Sequence, residues 1–144
     1  MRKNQKKNLL VVVPMKDLRE AKSRLNDTLT GKERELLAKL LFLRTLTILN
    51  TIRSNNKNFF DIGVVTQSLT IKNLIKEFDL FLIEERSKGL NLALKDSYLW
   101  ASKKNYKFLA ILPADLADPK PDEILSFLNH YKASSEPTVA LCPS

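Results

Sequence analysis

A chain of 144 residues with 44% hydrophobic content suffices for one core of ordinary size and is too short for two, so residues 1–144 are expected to form a single domain. Lys and Arg number 24 against 16 Asp and Glu, and the resulting net charge of +8 points to an anionic ligand or partner, although Lys- and Asn-rich stretches such as Asn55-Asn56-Lys57-Asn58 also fit a merely solvated basic surface. The lone Cys142 excludes an intrachain disulfide and cysteine-built metal clusters, and no stretch approaches the roughly 20 apolar residues that span a bilayer, so a soluble cytoplasmic protein is the default expectation.

Strand and helix patterns alternate along the chain. Leu9 to Val13 is an aliphatic, valine-rich run suited to a strand buried on both faces. Its basic leader, Met1 to Lys7, superficially imitates a secretion signal, but the apolar run is too short for one and ends at Pro14-Met15-Lys16. Thr30-Gly31-Lys32-Glu33 reads as a capping box that opens a long helix, with Leu36, Leu37, Leu40, Leu41, Leu46, Leu49 and Ile52 as its apolar stripe and an end near Ser54 to Lys57. Asp61 to Thr66 is a second strand, Thr70 to Phe78 a short helix and Leu80 to Ile83 a third strand.

Leu90 to Ser102 reads as a helix with Leu90, Ala93, Leu94, Ser97, Tyr98 and Ala101 on one face. Phe108 to Leu112 is uninterrupted by polar residues and is expected near the middle of the sheet. Pro119 to Pro121 starts a last helix on the apolar positions Ile124, Leu125, Phe127, Leu128 and Tyr131, and Thr138 to Cys142 is a fifth strand. Five strands alternating with four helices predict an α/β layer fold with a mostly parallel sheet. Ligands of such sheets bind outside the carboxyl ends of the strands.

Two strand exits carry chemistry. After the first strand, the glycine-free segment Pro14 to Leu25 places Lys16, Arg19, Lys22 and Arg24 within nine residues. The three glycines, Gly31, Gly63 and Gly89, make neither a P-loop nor a dinucleotide fingerprint, so a phosphate held here would rest largely on side chains. Lys16, Lys22 and Arg24 are the candidates, with Ser23 as a hydroxyl donor. The competing reading is that these cations only solvate a long loop. After the fourth strand, Asp115 stands just past Leu112-Pro113-Ala114, where one carboxylate can anchor a magnesium ion shared with substrate phosphates, or merely cap a turn. Gly89 allows close approach at the start of a helix, and Asn91 offers both donor and acceptor to a base edge or ribose. His130 is solitary on its helix, and Tyr98, Trp100 and Tyr106 read as packing residues.

Pro14-x-Lys16, Ala21-Lys22-Ser23-Arg24-Leu25, Gly89-Leu90-Asn91 and Leu112-Pro113-Ala114-Asp115-Leu116 together resemble the 2-phospho-L-lactate or phosphoenolpyruvate guanylyltransferase family of deazaflavin coenzyme F-420 biosynthesis. The resemblance spans about Leu9 to Ser144 and implies a glycosyltransferase-A-like nucleotidyltransferase fold, a Rossmann-like three-layer sandwich that is here C-terminally short. It implies that Pro14, Lys16, Lys22, Ser23 and Arg24 line a GTP phosphate site, that Gly89 and Asn91 lie near the guanosine, and that Asp115 ligates Mg2+. The implied partners are GTP and a small phosphorylated carboxylic acid: 2-phospho-L-lactate, phosphoenolpyruvate or 3-phosphoglycerate. A phosphoryl oxygen of that acid, already ionised at neutral pH, would attack the α-phosphorus without a general base, leaving catalysis to alignment and charge neutralisation.

Two departures from the family pattern stand out. Ala117 replaces the usual proline after Asp-Leu, and the chain stops at Ser144, before the Gly-Thr-Asn segment and further acidic metal ligand by which the family binds its acceptor. The expectation is therefore family identity without full turnover by this polypeptide alone. Three alternatives compete: another nucleotidyltransferase of the same fold, a basic nucleic-acid-binding module and an inactive shortened homologue. The glycine-free first loop counts against the first, and the lack of a reading helix or RNP-like aromatic pair against the second. An exposed final strand would favour a homo-oligomer.

Overall fold

The computed structural model of the chain describes residues 7–19, 29–84, 90–114, 119–132 and 138–141. The elements follow in the order β1 (Leu9–Pro14), α1 (Gly31–Asn55), β2 (Phe60–Thr66), α2 (Leu69–Leu74), β3 (Phe81–Glu84), α3 (Leu90–Lys103), β4 (Phe108–Ile111), α4 (Pro121–Lys132) and β5 (Thr138–Leu141). A 3-10 turn over Ile75–Glu77 finishes α2, where a single helix to Phe78 is expected from the sequence. The other boundaries lie within a residue or two of the sequence reading.

The five strands form one sheet in the order β3-β2-β1-β4-β5. Every neighbouring pair is parallel. β1 is the central strand, and its alternation divides the core in two. Leu9, Val11 and Val13 face one cluster, joined by Phe42, Leu46 and Leu49 of α1, Ile71 of α2, and Ile124 and Leu128 of α4. Leu10 and Val12 face the other, joined by Val65, Ile83, Leu109, Ile111 and the α3 residues Ala93 and Ala101. Burial on both faces is why β1 needs five consecutive aliphatic residues rather than an alternating pattern. Gly63 of β2 allows a close approach at the second cluster: a Cβ there would come within 3.1 Å of Ile83 Cδ1.

The capping box at α1 forms as expected. Glu33 N–H donates to Thr30 Oγ1 at 3.1 Å, and Thr30 N–H donates to Glu33 Oε1 at 2.8 Å, which holds the Glu33 carboxyl below its ordinary value. The apolar face of α1 matches the expected stripe at Leu46, Leu49 and Ile52 and differs from it toward the N-terminus. Its buried positions are Ala38, Phe42, Thr45, Leu46, Leu49, Ile52 and Arg53, whereas Leu36 and Leu40 are exposed. Counting back from Ile52 in steps of three and four leads to Phe42 and Ala38, and Leu36 and Leu40 fall off that face. Tyr98 of α3 is likewise exposed, while Ala93, Ser97 and Ala101 pack inward, so the small residues set how closely this helix approaches the sheet. Trp100 stacks on Tyr106 at 6.1 Å, and Phe81 lies 5.4 Å from Trp100, consistent with a packing role. No described helix is long and apolar enough to cross a membrane.

Candidate active site

The strand order reverses at β1. The chain proceeds outward through β2 and β3, then returns to the other side of β1 as β4. The carboxyl ends of β1 and β4 thus flank the topological switch point, where a parallel α/β sheet leaves a crevice. Their register pairs Val12 with Ile111, and Leu112 N–H extends the ladder by donating to Val12 O at 2.9 Å. Both informative loops therefore leave the sheet side by side.

At the β1 exit, Pro14 closes the strand half-buried. Met15 stays attached to β2, donating its N–H to Val65 O at 3.0 Å with its side chain buried. Lys16 follows, exposed. Asp17 is then held from two sides: its Oδ2 accepts from Ser68 Oγ at 2.9 Å, and its Oδ1 accepts from Arg19 N–H at 3.0 Å and Arg19 Nε at 3.1 Å. The Arg19 backbone N–H is the chief reason the Asp17 carboxyl sits below its ordinary value, helped by the Ser68 hydroxyl and the Arg19 guanidinium and opposed by partial burial. Ser68 also caps α2 by accepting from Ile71 N–H at 3.2 Å, and its own N–H donates to Thr66 Oγ1 at 3.0 Å. One hydroxyl thus ties the β1 exit to the β2 exit.

At the β4 exit the corresponding hydroxyl comes from α1. The hydroxyl of the buried Thr45 faces two carbonyl acceptors, Leu41 O of its own helix at 3.0 Å and Ala114 O at 3.1 Å, and its one proton is shared between them. Leu112 and Ala114 are buried, so the backbone that leads to Asp115 is fixed up to the residue before it.

The site residues expected from the sequence divide accordingly. Pro14 and Lys16 lie at the carboxyl end of β1, beside the switch point, and Asn91 falls in the first turn of α3. Lys22, Ser23, Arg24, Gly89 and Asp115 lie outside the described residues, as does the side chain of Asn91. Among the described residues no group of three His, Cys, Asp or Glu could hold a metal ion. Thr45, Ser68 and Asp17 were not singled out by sequence. Asp17 could have been suspected from its place between Lys16 and Arg19, but nothing local marks the two hydroxyls, because their partners lie 69 and 51 residues away.

A parallel α/β sheet whose strand order reverses at β1 defines the class of doubly wound α/β proteins, whose ligands bind in the crevice at the switch point. Residues 9–143 match the family described as "Guanylyl transferase CofC like", and the chain belongs to that family. It is 28% identical over 134 residues to the 3-phospho-D-glycerate guanylyltransferase of Colwellia psychrerythraea, covering 93% of this chain and 61% of that protein. It is 32% identical over 127 residues to the 2-phospho-L-lactate guanylyltransferase of Methanocaldococcus vulcanius, covering 85% of this chain and 53% of that protein. The chain thus spans between half and two thirds of the length of these relatives. Its fold is also that of a crystal structure described as a nucleotide-diphospho-sugar transferase from Desulfovibrio desulfuricans G20, at a TM-score of 0.71 and 12% identity, covering 89% of this chain and 56% of the other.

Proposed function

We propose that this chain carries the nucleotide-binding half of a guanylyltransferase that joins GMP from GTP to a small phosphorylated carboxylic acid. The observation that carries the reading is the parallel pairing of β1 with β4 at the switch point, which brings the exit bearing Lys16 beside the exit leading to Asp115. In the reaction a phosphoryl oxygen of the acid attacks the α-phosphorus of GTP. A new P–O bond forms, the bond from the α-phosphorus to the bridging oxygen breaks, and pyrophosphate leaves with that electron pair.

The residues supply alignment and charge. Lys16 is exposed at the β1 exit, ready to meet a phosphate as a point charge, and Lys22, Ser23 and Arg24 would extend that cradle. Gly89 and Asn91, beside the start of α3, would meet the guanosine. Magnesium suits this donor set, since one carboxylate, Asp115, completed by substrate phosphates and water is an ordinary coordination for it, and Asp17 is already engaged by Ser68 and Arg19. When bound, the ion would supply charge neutralisation at the phosphates. The relatives named for 2-phospho-L-lactate and 3-phospho-D-glycerate support a phosphorylated three-carbon acid as acceptor.

Calorimetry with GTP and magnesium tests the reading, with ATP and an Asp115→Asn variant as controls. Magnesium-dependent binding that favours GTP and weakens in the variant is expected. A chain that melts cooperatively yet ignores GTP would overturn the proposal.

A further inference from the structure

Lys16 stands between two fixed residues. The Met15 N–H is still in the sheet ladder, bonded to Val65 O at 3.0 Å, and the Asp17 carboxylate is bonded to Ser68 Oγ at 2.9 Å. A lysine next to an aspartate in an irregular loop can form an ion pair with that neighbour, which would make its ammonium less available to a ligand. Here both carboxylate oxygens are turned elsewhere, Oδ2 to Ser68 and Oδ1 to the Arg19 N–H and guanidinium. Among the described residues no ion pair engages Lys16. The arrangement also offsets the Asp17 charge with Arg19, 3.1 Å away, so the β1 exit remains receptive to an anion although it carries a carboxylate.

We infer that Asp17 and Ser68 are positioning residues for Lys16: the Ser68–Asp17 hydrogen bond fixes the β1 exit so that the Lys16 ammonium faces the nucleotide phosphates instead of folding back on its neighbour. The inference rests on the nucleotide-binding reading above and assigns roles to two residues that touch no substrate. Ser68 serves the function at no extra structural cost, because the same oxygen accepts from Ile71 N–H to cap α2 while its proton goes to Asp17.

A double-mutant cycle on GTP binding by the full chain tests it. Lys16→Ala is expected to weaken GTP binding about tenfold or more, the worth of a charge-assisted phosphate contact. Asp17→Ala is expected to weaken it about fivefold, and the Lys16→Ala/Asp17→Ala pair to bind no more weakly than Lys16→Ala alone, because Asp17 acts through Lys16. Ser68→Ala should reproduce the Asp17→Ala defect and Ser68→Thr, which keeps the hydroxyl, should restore affinity. If Asp17→Ala melts without cooperativity, the cycle is read from Ser68→Ala, alone and combined with Lys16→Ala, with Ser68→Thr as the variant that keeps the hydroxyl. A chain in which Lys16→Ala leaves GTP affinity unchanged would overturn both the phosphate role of Lys16 and this inference. Additive losses, or loss from Lys16→Ala with none from Asp17→Ala and Ser68→Ala, would overturn the positioning role alone.

Discussion

Asp17 shows how a single carboxylate can be structural and electrostatic at once. Its folded value is lowered from 3.8, so its ionised form is favoured by the fold, and the stability it contributes is fully present above the unfolded value. That contribution is lost as pH falls through the lowered folded value. The melting temperature of Asp17→Asn should therefore lie below that of the wild type at neutral pH, and the gap should begin to narrow as pH falls to the ordinary carboxylate value and close only below the lowered folded value. A gap that stayed constant from neutral pH into acid would mean that the carboxylate's charge is irrelevant to the hydrogen bonds with Ser68 and Arg19.

Between elements, the long helix α1 does more than cover the sheet. Its Thr45 hydroxyl reaches Ala114 O at 3.1 Å, fixing the β4 exit to the helix face that also carries Phe42, Leu46 and Leu49. Thr45→Val keeps the branched shape and removes the donor, leaving the buried Ala114 carbonyl without this partner while the helix ladder still serves Leu41 O. Chemical denaturation should show a loss of about 1–3 kcal/mol for Thr45→Val and a much smaller one for Thr45→Ser. Equal losses in the two variants would assign Thr45 to packing alone. The stripe of α1 was legible in sequence at Leu46, Leu49 and Ile52, which are buried, but not nearer the N-terminus, where Leu36 and Leu40 are exposed and Ala38, Phe42 and Thr45 take the buried positions. Leucine abundance marks a helix, whereas the neighbouring strands and α4 decide which side faces in.

Across the whole molecule, 24 basic residues against 16 acidic ones give a net charge of +8, whose long-range field favours the approach of an anion such as the proposed GTP. Raising ionic strength from about 0.1 M to about 1 M shortens the screening length from about 10 Å to about 3 Å, so GTP affinity should fall with salt while guanosine binding stays nearly constant. Salt-insensitive GTP binding would confine the electrostatics to the direct contacts of Lys16 and the residues after it. The sequence by itself determined the order of strands and helices, the capped start of α1 and the family, because each is written in local periodicity or in short runs such as Pro14-Met15-Lys16. Only the tertiary structure decided that β1 is central and paired with β4, that Asp17 turns to Ser68 rather than to Lys16, and that Thr45 holds the β4 exit. These are pairings between residues far apart in the chain, and no local propensity encodes them; they come into being only when parallel strands and the helices packed on them close the core.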